Sequence, residues 1–318
     1  MTEPFLVGLI GARGHTGREL IRLIAGHPKF MLAYASSREF AGRPVSDVAP
    51  EDKDECLFEN LGPEEAAKRR ADAVFLALPD GAGAPFVEAF DRLAPQRVLI
   101  DLSADRRFDA EWAYGLPEVN RAAIDGARRI ANPGCYATAA QLALAPIADR
   151  LAGAPSVFGV SGYSGAGSTP NPRNDPAALA DSVIPYALVG HKHEREVSHR
   201  LGRDVRLSPH VHPAFRGLIA TVHAPLDEAL SQEAARSLYD ERYQDEALVE
   251  VRDAPPTLKD GAGLAGAIVG GVVASDDGRH LAAVCALDNL LKGAATQALQ
   301  NLNLAFGLPE TLGILGTD

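Results

Sequence analysis

Cysteine is scarce in this chain: Cys56, Cys135 and Cys285 are the only three in 318 residues. So few exclude a disulfide framework and are expected of a protein from a reducing compartment. Basic runs are missing and the formal net charge is −11, which argues against nucleic acid as a general partner. An anionic small molecule would have to be met by individual arginines and lysines. Long hydrophobic runs are missing too. The longest, Leu264 to Ala274, is short and glycine-rich, so no membrane span is expected. Glu3 and the lack of a basic leader before the first apolar run argue against a signal peptide. What is present is ordinary for a soluble globular enzyme of the cytoplasm: 23% charged and 46% hydrophobic residues, with length for two domains.

The first half alternates strand and helix. Phe5–Ile10, Phe30–Ala35, Ala73–Leu78 and Arg97–Ile100 read as buried parallel strands, and Arg18–Ala25 as an amphipathic helix. That alternation predicts an α/β fold with a doubly wound parallel sheet. From about residue 150 the pattern changes. Val157–Val160, Ala214–His223, Ala247–Val251 and Ala267–Ala274 predict a more antiparallel α+β domain, and Asn289–Phe306 a long helix interrupted at Gly293. No internal repeat or low-complexity segment is visible.

A glycine loop follows the first strand: Gly11, Ala12, Arg13, Gly14, His15, Thr16, Gly17. Strand, G-x-x-G-x-x-G, then helix sets backbone N–H groups and a helix N-terminus against a pyrophosphate. An acidic residue ending the second strand would suit the ribose of NAD. Ser36, Ser37 and Arg38 stand there instead and suit a 2′-phosphate, so NADP(H) is the expected cofactor. His15 reads as a turn residue.

Asn132-Pro133-Gly134-Cys135 ends extended structure, and Thr138 onward favours helix. A thiol so placed faces unpaired N–H groups and the positive end of the helix dipole, which favour thiolate and can hold an oxyanion. Cys135 is the expected nucleophile; Cys56 and Cys285 lack such a setting. Leu188–Val197 carries His191, His193 and Glu196, a general base with an orienting carboxylate. His-x-His recurs in Ser208–Pro213, which raises zinc as a rival, but no further ligands complete a tetrahedral set; no metal is expected. Ser161–Gly167 is a second glycine-rich turn that can take an anion on backbone amides. Arg216 follows Pro213-Ala214-Phe215, and Asp288-Asn289 opens the last helix near where a nicotinamide would lie.

In order along the chain, GARGHTG, LALPDG, NPGCYAT, SGYSGAG, GHKHEREV, SPHVHPAFRG and DNLLKGAATQALQN resemble N-acetyl-γ-glutamyl-phosphate reductases over nearly the whole length. The resemblance implies a Rossmann-type domain, residues 1–140 completed by 288–318, and a catalytic, dimerising α+β domain, 141–287, like that of glyceraldehyde-3-phosphate dehydrogenase. It implies NADPH-dependent reduction of an acyl phosphate to a semialdehyde through a thioester on Cys135, with His193, oriented by Glu196, moving the proton. His191 positions substrate or shares that role. It places Leu78, Pro79, Gly165 and Asn289 at the cofactor, Ser161, Gly165 and Gly167 around the phosphate, and Arg216 on the substrate carboxylate. The partners implied are a small-molecule acyl phosphate and further copies of the chain, as homodimer or homotetramer. One departure stands out: where the family often has a basic residue after the glycine turn, this chain has Ser168-Thr169-Pro170-Asn171-Pro172 before Arg173. Arg173 then supplies the phosphate's cation, or the loop serves another acyl phosphate, such as N-succinyl-glutamyl, N-acetyl-aminoadipyl or aspartyl phosphate. A cysteine hydrolase or an NADP-binding sensor would use only part of these motifs.

Overall fold

Along the first apolar run Val7 and Leu9 point to one side, Gly8 and Ile10 to the other, and all four are buried. A strand buried on both faces belongs inside a sheet covered by helices twice over. The structure is a computed structural model that describes residues 3–50 and 56–315. The chain divides into two compact units, Met1–Pro133 with Ala294–Asp318, and Gly134–Gly293.

In the first unit, β1 (Phe5–Ile10), β2 (Phe30–Ser36), β3 (Phe58–Glu59), β4 (Ala73–Leu76), β5 (Val98–Asp101), β6 (Ala113–Tyr114) and β7 (Arg129–Ala131) form one sheet. All its pairings are parallel and the order is β3-β2-β1-β4-β5-β7-β6. Its helices are α1 (His15–Ala25), α2 (Pro63–Lys68), α3 (Ala84–Leu93), α4 (Pro117–Ile124) and the C-terminal helix Thr296–Ala305. Leu20, Ile21 and Ile24 of α1 share one core with Ala298, Leu299 and Leu302 of the C-terminal helix. Ala66, Val87 and Phe90 of α2 and α3 fill the opposite face with Tyr34, Val74 and Leu99. The chain reverses its strand order between β1 and β4, and a doubly wound sheet takes its ligand at the carboxyl ends of such a pair.

In the second unit, β8 (Ser156–Gly162), β9 (Ile184–Pro185), β10 (Arg206–His212), β11 (Leu218–Pro225), β12 (Val249–Arg252), β13 (Ala267–Ala274) and β14 (His280–Leu287) lie in the order β12-β13-β14-β11-β8-β10-β9. The sheet is mainly antiparallel, as expected, with two parallel pairings, β8 with β10 and β12 with β13. Its helices are α5 (Cys135–Leu144), α6 (Pro176–Leu179), α7 (Lys192–Leu201), α8 (Gln232–Tyr243) and α9 (Leu258–Gly261). Alanine-rich α5 is buried nearly all round and packs on β11 and β14. The Tyr239 and Tyr243 hydroxyls of α8 donate to the Ala143 and Leu142 carbonyls at its far end. The opposite sheet face is partly open: Phe158 is 48% exposed, with Ile219, Thr221 and Val284 half-buried on neighbouring strands.

Three expectations move, each for a local reason. Helix α1 begins at His15, not Arg18, because Gly14 is already extended at the N-cap and nothing after it breaks the turn. Helix α5 begins at Cys135, so the thiol stands in the first turn of the helix as expected. The strand expected from Ala214 begins at Leu218, since Ala214, Phe215 and Gly217 turn back and their carbonyls accept the N–H groups of Tyr163, Ser164 and Gly162. The last helix is two pieces, a π turn Leu291–Ala295 and the α-helix Thr296–Ala305. Six strands went unread: β3, β6, β7 and β9, which are only two or three residues long, and β10 and β14, although Leu207, Pro209 and Val211 alternate inward along β10.

Candidate active site

The glycine loop leaves β1 and enters α1. Gly11 sits at φ +84°, and a β-carbon there would lie 2.2 Å from the Ala77 carbonyl oxygen just beyond β4, with Leu78 alongside. Only glycine fits. A β-carbon at Gly17 would likewise clash, 2.7 Å from the Ala12 carbonyl oxygen, so glycine there lets α1 pack tightly on the loop. At Gly14 the space a side chain would fill is open, so a ligand can approach the backbone at the head of the helix. The N–H groups of Gly11 and Ala12 donate to the Ser36 carbonyl at 3.1 and 3.0 Å, tying the loop to the end of β2. Ser36 and Ser37 are buried and their hydroxyls accept the N–H groups of Leu61 and Phe40; each keeps a proton to donate. Arg38 is exposed beside them, and Arg13 pairs with Glu39. Pro79 is exposed and His15 and Thr16 are half-buried. The cradle at Gly11 and Gly14, with hydroxyls and arginines at the end of β2, fits a dinucleotide carrying an extra phosphate.

In the second unit Gly134 is the extended N-cap of α5 and Cys135 its first residue, half-buried. The buried Glu196 carboxylate accepts the Gly134 N–H at 3.0 Å. That bond fixes the turn just before the thiol, and it removes one N–H from those that could meet an oxyanion. The donors left are those of the first turn of α5. On the other side, a β-carbon at Gly293 would lie 2.7 Å from Cβ of Cys135.

His191 caps α7: its Nδ1 accepts the His193 N–H at 3.2 Å. Burial, assisted by Lys192 and Arg173 and opposed by Glu194, lowers its pKa from 6.5 to about 4. His191 is therefore neutral at physiological pH, with its proton on Nε2. The rings of His191 and His193 stand 4.8 Å apart, and both lie against Tyr136, the residue after the nucleophile, at 6.2 and 6.0 Å. Tyr136 donates to the His210 carbonyl at 2.7 Å, and burial raises the phenol's pKa well above its ordinary value. Tyr186 packs edge-on to His191 at 5.5 Å, its pKa raised mainly by burial and then by the neighbouring Cys135.

The cations lie on two sides. The Arg173 guanidinium stacks over the Tyr186 ring at 4.8 Å, beside the histidines. Arg216 stands on the turn between β10 and β11, 3.6 Å from buried Asp288. The glycine-rich turn Tyr163–Ala166 is held by Asn289, whose Nδ2 donates to the Ser164 hydroxyl at 2.8 Å while its Oδ1 accepts the Gly217 N–H at 3.0 Å. A β-carbon at Gly165 would meet the Ser161 hydroxyl at 3.1 Å, and Gly167 closes the turn at φ +82°. His210 and His212 sit on β10, where Nδ1 of His210 lies 3.1 Å from the Ser208 carbonyl and Nδ1 of His212 accepts the Ala214 N–H. Among the described residues no three His, Cys, Asp or Glu side chains gather as a metal site. Sequence reasoning passed over Tyr186, which no spacing marks; Asp288 was noted with Asn289, but not as a partner of Arg216. Gly293, noted only as a helix interruption, was itself the signal.

A thiol at a helix start, paired imidazoles, separate arginines and a parallel nucleotide-type sheet define an oxidoreductase of the semialdehyde dehydrogenase class. Family models agree: "Semialdehyde dehydrogenase, NAD binding domain" matches residues 6–127 and "Semialdehyde dehydrogenase, dimerisation domain" residues 135–289. Solved structures share the fold. Aspartate semialdehyde dehydrogenase II from Vibrio cholerae superposes with a TM-score of 0.77 at 19% identity, over 96% of this chain and 99% of that one. The Candida albicans aspartate semialdehyde dehydrogenase solved with NADP gives 0.75 at 16%, over 95% and 98%. Sequence goes further. The N-acetyl-gamma-glutamyl-phosphate reductase of Xanthomonas axonopodis pv. citri is 51% identical over 98% of this chain and 99% of its own length. That of Stenotrophomonas maltophilia is 50% identical over 98% of both. The chain belongs to the N-acetyl-γ-glutamyl-phosphate reductase family.

Proposed function

We propose that this chain reduces N-acetyl-γ-glutamyl phosphate to N-acetylglutamate 5-semialdehyde and inorganic phosphate, a step of arginine biosynthesis, with NADPH as reductant. The observation that carries the proposal is a carboxylate-anchored helix start at Cys135, with two imidazoles against the adjoining Tyr136 and the Arg173–Tyr186 stack beside them. Cys135 attacks the acyl carbon, the bond to phosphate breaks, and a thioester remains on the sulfur. First-turn N–H groups of α5 hold the oxyanion as it forms and again as the reduced carbon forms. Gly11, Arg13, Gly14, His15, Thr16, Gly17, Ser36, Ser37, Arg38, Leu78 and Pro79 would hold NADPH, with Gly165 and Asn289 toward the nicotinamide, and the bound cofactor would supply the hydride. His193 gives and takes the proton as the thiohemiacetal forms and collapses to aldehyde and free thiol. His191, neutral and capping α7, orients the pair, and Glu196 fixes the turn of Cys135. Arg173, with Ser161, Gly165 and Gly167, meets the phosphate, and Arg216 meets the α-carboxylate.

The half-open sheet face around Phe158 is where we place the contact between copies in a homodimer or homotetramer. A nucleophilic thiol and a reduced nicotinamide suit the cytoplasm.

The aldehyde is more stable than the acyl phosphate, so the test runs backwards. N-acetylglutamate semialdehyde, phosphate and NADP are mixed with wild type or Cys135→Ala, and absorbance of the reduced nicotinamide is followed. Phosphate-dependent signal from wild type alone is expected. Equal rates from both proteins would overturn the role of Cys135. A folded wild type inactive here but active on the succinyl analogue would overturn the acetyl substrate.

A further inference from the structure

We infer that Asp288 is a positioning residue: its carboxylate aims the Arg216 guanidinium at the substrate's α-carboxylate, while its carbonyl sets the turn that brings Gly293 onto Cys135. The inference rests on the reaction proposed above.

Asp288 is 0% exposed, and a buried carboxylate is costly unless its oxygens are met by donors. They are. Oδ1 accepts the N–H groups of Leu290 at 2.8 Å and Leu291 at 3.2 Å, and Oδ2 accepts that of Gly263 at 2.6 Å. Three backbone donors fill three of the carboxylate's roughly four acceptor sites, so its charge is held without relying on Arg216, 3.6 Å from Oδ2. The dependence runs the other way. The Arg216 side chain is only 24% exposed, and a fixed negative charge on one side orients its planar guanidinium fork. A guanidinium has five N–H donors, so one edge can face Asp288 while another meets a second carboxylate.

The neighbouring backbone is fixed by the next residue in the chain. Asn289 accepts the N–H of Gly217, the residue after Arg216, and bonds Ser164 on the glycine-rich turn. The Asp288 carbonyl accepts the Gly293 N–H at 2.9 Å, five residues on. That bond opens the π turn, a form frequent at functional sites, and leaves Gly293 where no side chain could lie beside Cβ of Cys135. One residue thus relates the carboxylate clamp to the nucleophile.

The test compares two aldehydes in the reverse assay, N-acetylglutamate semialdehyde and its α-methyl ester, with wild type, Asp288→Asn, Arg216→Ala and the double variant. Wild type is expected to prefer the free acid. Asp288→Asn should reduce that preference in kcat/KM by about tenfold, chiefly through KM, the size of a weakened charge-assisted bond. In the Arg216→Ala background it should change the preference no further, because the two residues act as one unit. A merely structural role would lower both substrates alike, and an unchanged ratio would overturn the inference. Should Asp288→Asn fail to fold, Asp288→Glu keeps the charge but displaces it, and the same ratio decides. Wild type inactive on both aldehydes would instead overturn the proposed reaction, and this inference with it.

Discussion

Replacing His191 by asparagine should change how stability depends on pH more than it changes stability itself. His191 has its pKa lowered from 6.5 to about 4, chiefly by burial. Below the unfolded value the unfolded chain binds a proton that the folded one refuses, so stability is fully present above about pH 6.5 and is lost as pH falls toward 4. Between about pH 7.5 and about pH 5 the loss from this one group is about 2 kcal/mol, with an upper limit of roughly 3 kcal/mol once the folded pKa is reached. Asparagine caps a helix as well as any residue, so α7 keeps its start. The substitution does lose the edge contacts of the imidazole with Tyr136 and Tyr186, about 1–2 kcal/mol together. Near neutrality His191→Asn should therefore be less stable than wild type by about that amount, and the gap should close near pH 5. His27, whose pKa burial also lowers, contributes a slope common to both proteins. Urea unfolding followed by far-UV circular dichroism at the two pH values measures the difference. Both units unfold, and only the transition of the second carries the effect. A gap of equal size at both pH values would refute the reasoning, because it would mean that folding does not depress the titration of His191.

Two further outcomes follow from backbone geometry. Gly11→Ala puts a β-carbon 2.2 Å from the Ala77 carbonyl oxygen at φ +84°; a left-handed alanine alone costs about 1–2 kcal/mol, and the loop must also shift. NADPH fluorescence titration should show affinity weakened at least about tenfold, and unaltered affinity in a folded variant would remove Gly11 from the cofactor site. Glu196→Ala strips the acceptor from the buried Gly134 N–H, a loss of about 1–3 kcal/mol, whereas Glu196→Gln keeps a carbonyl oxygen for it. Unfolding midpoints and the alkylation rate of Cys135 should change in Glu196→Ala much more than in Glu196→Gln; equal change in both would mean that the charge, not the acceptor, matters.

Local chemistry alone determined a good part of this protein. An apolar run followed by three spaced glycines has few outcomes besides a strand, a phosphate-type loop and a helix. Asn132-Pro133-Gly134 can only turn, so a cysteine delivered to a helix start was legible, as was the parallel sheet of the first unit, whose strands are buried on both faces and therefore continuously apolar. Order along the chain added the family. Tertiary structure decided what distance in sequence hides. Nothing near Glu196 marks it as the acceptor of the Gly134 N–H, 62 residues away, and nothing near Arg173 predicts that it stacks on Tyr186. The low pKa of His191 comes from burial, which no spacing encodes. Gly293 read as a flaw in a helix until Cys135 was found against it. Periodicity reports which side of an element is covered, whereas a reactive centre depends on which atoms meet across elements, and only the packed chain contains that.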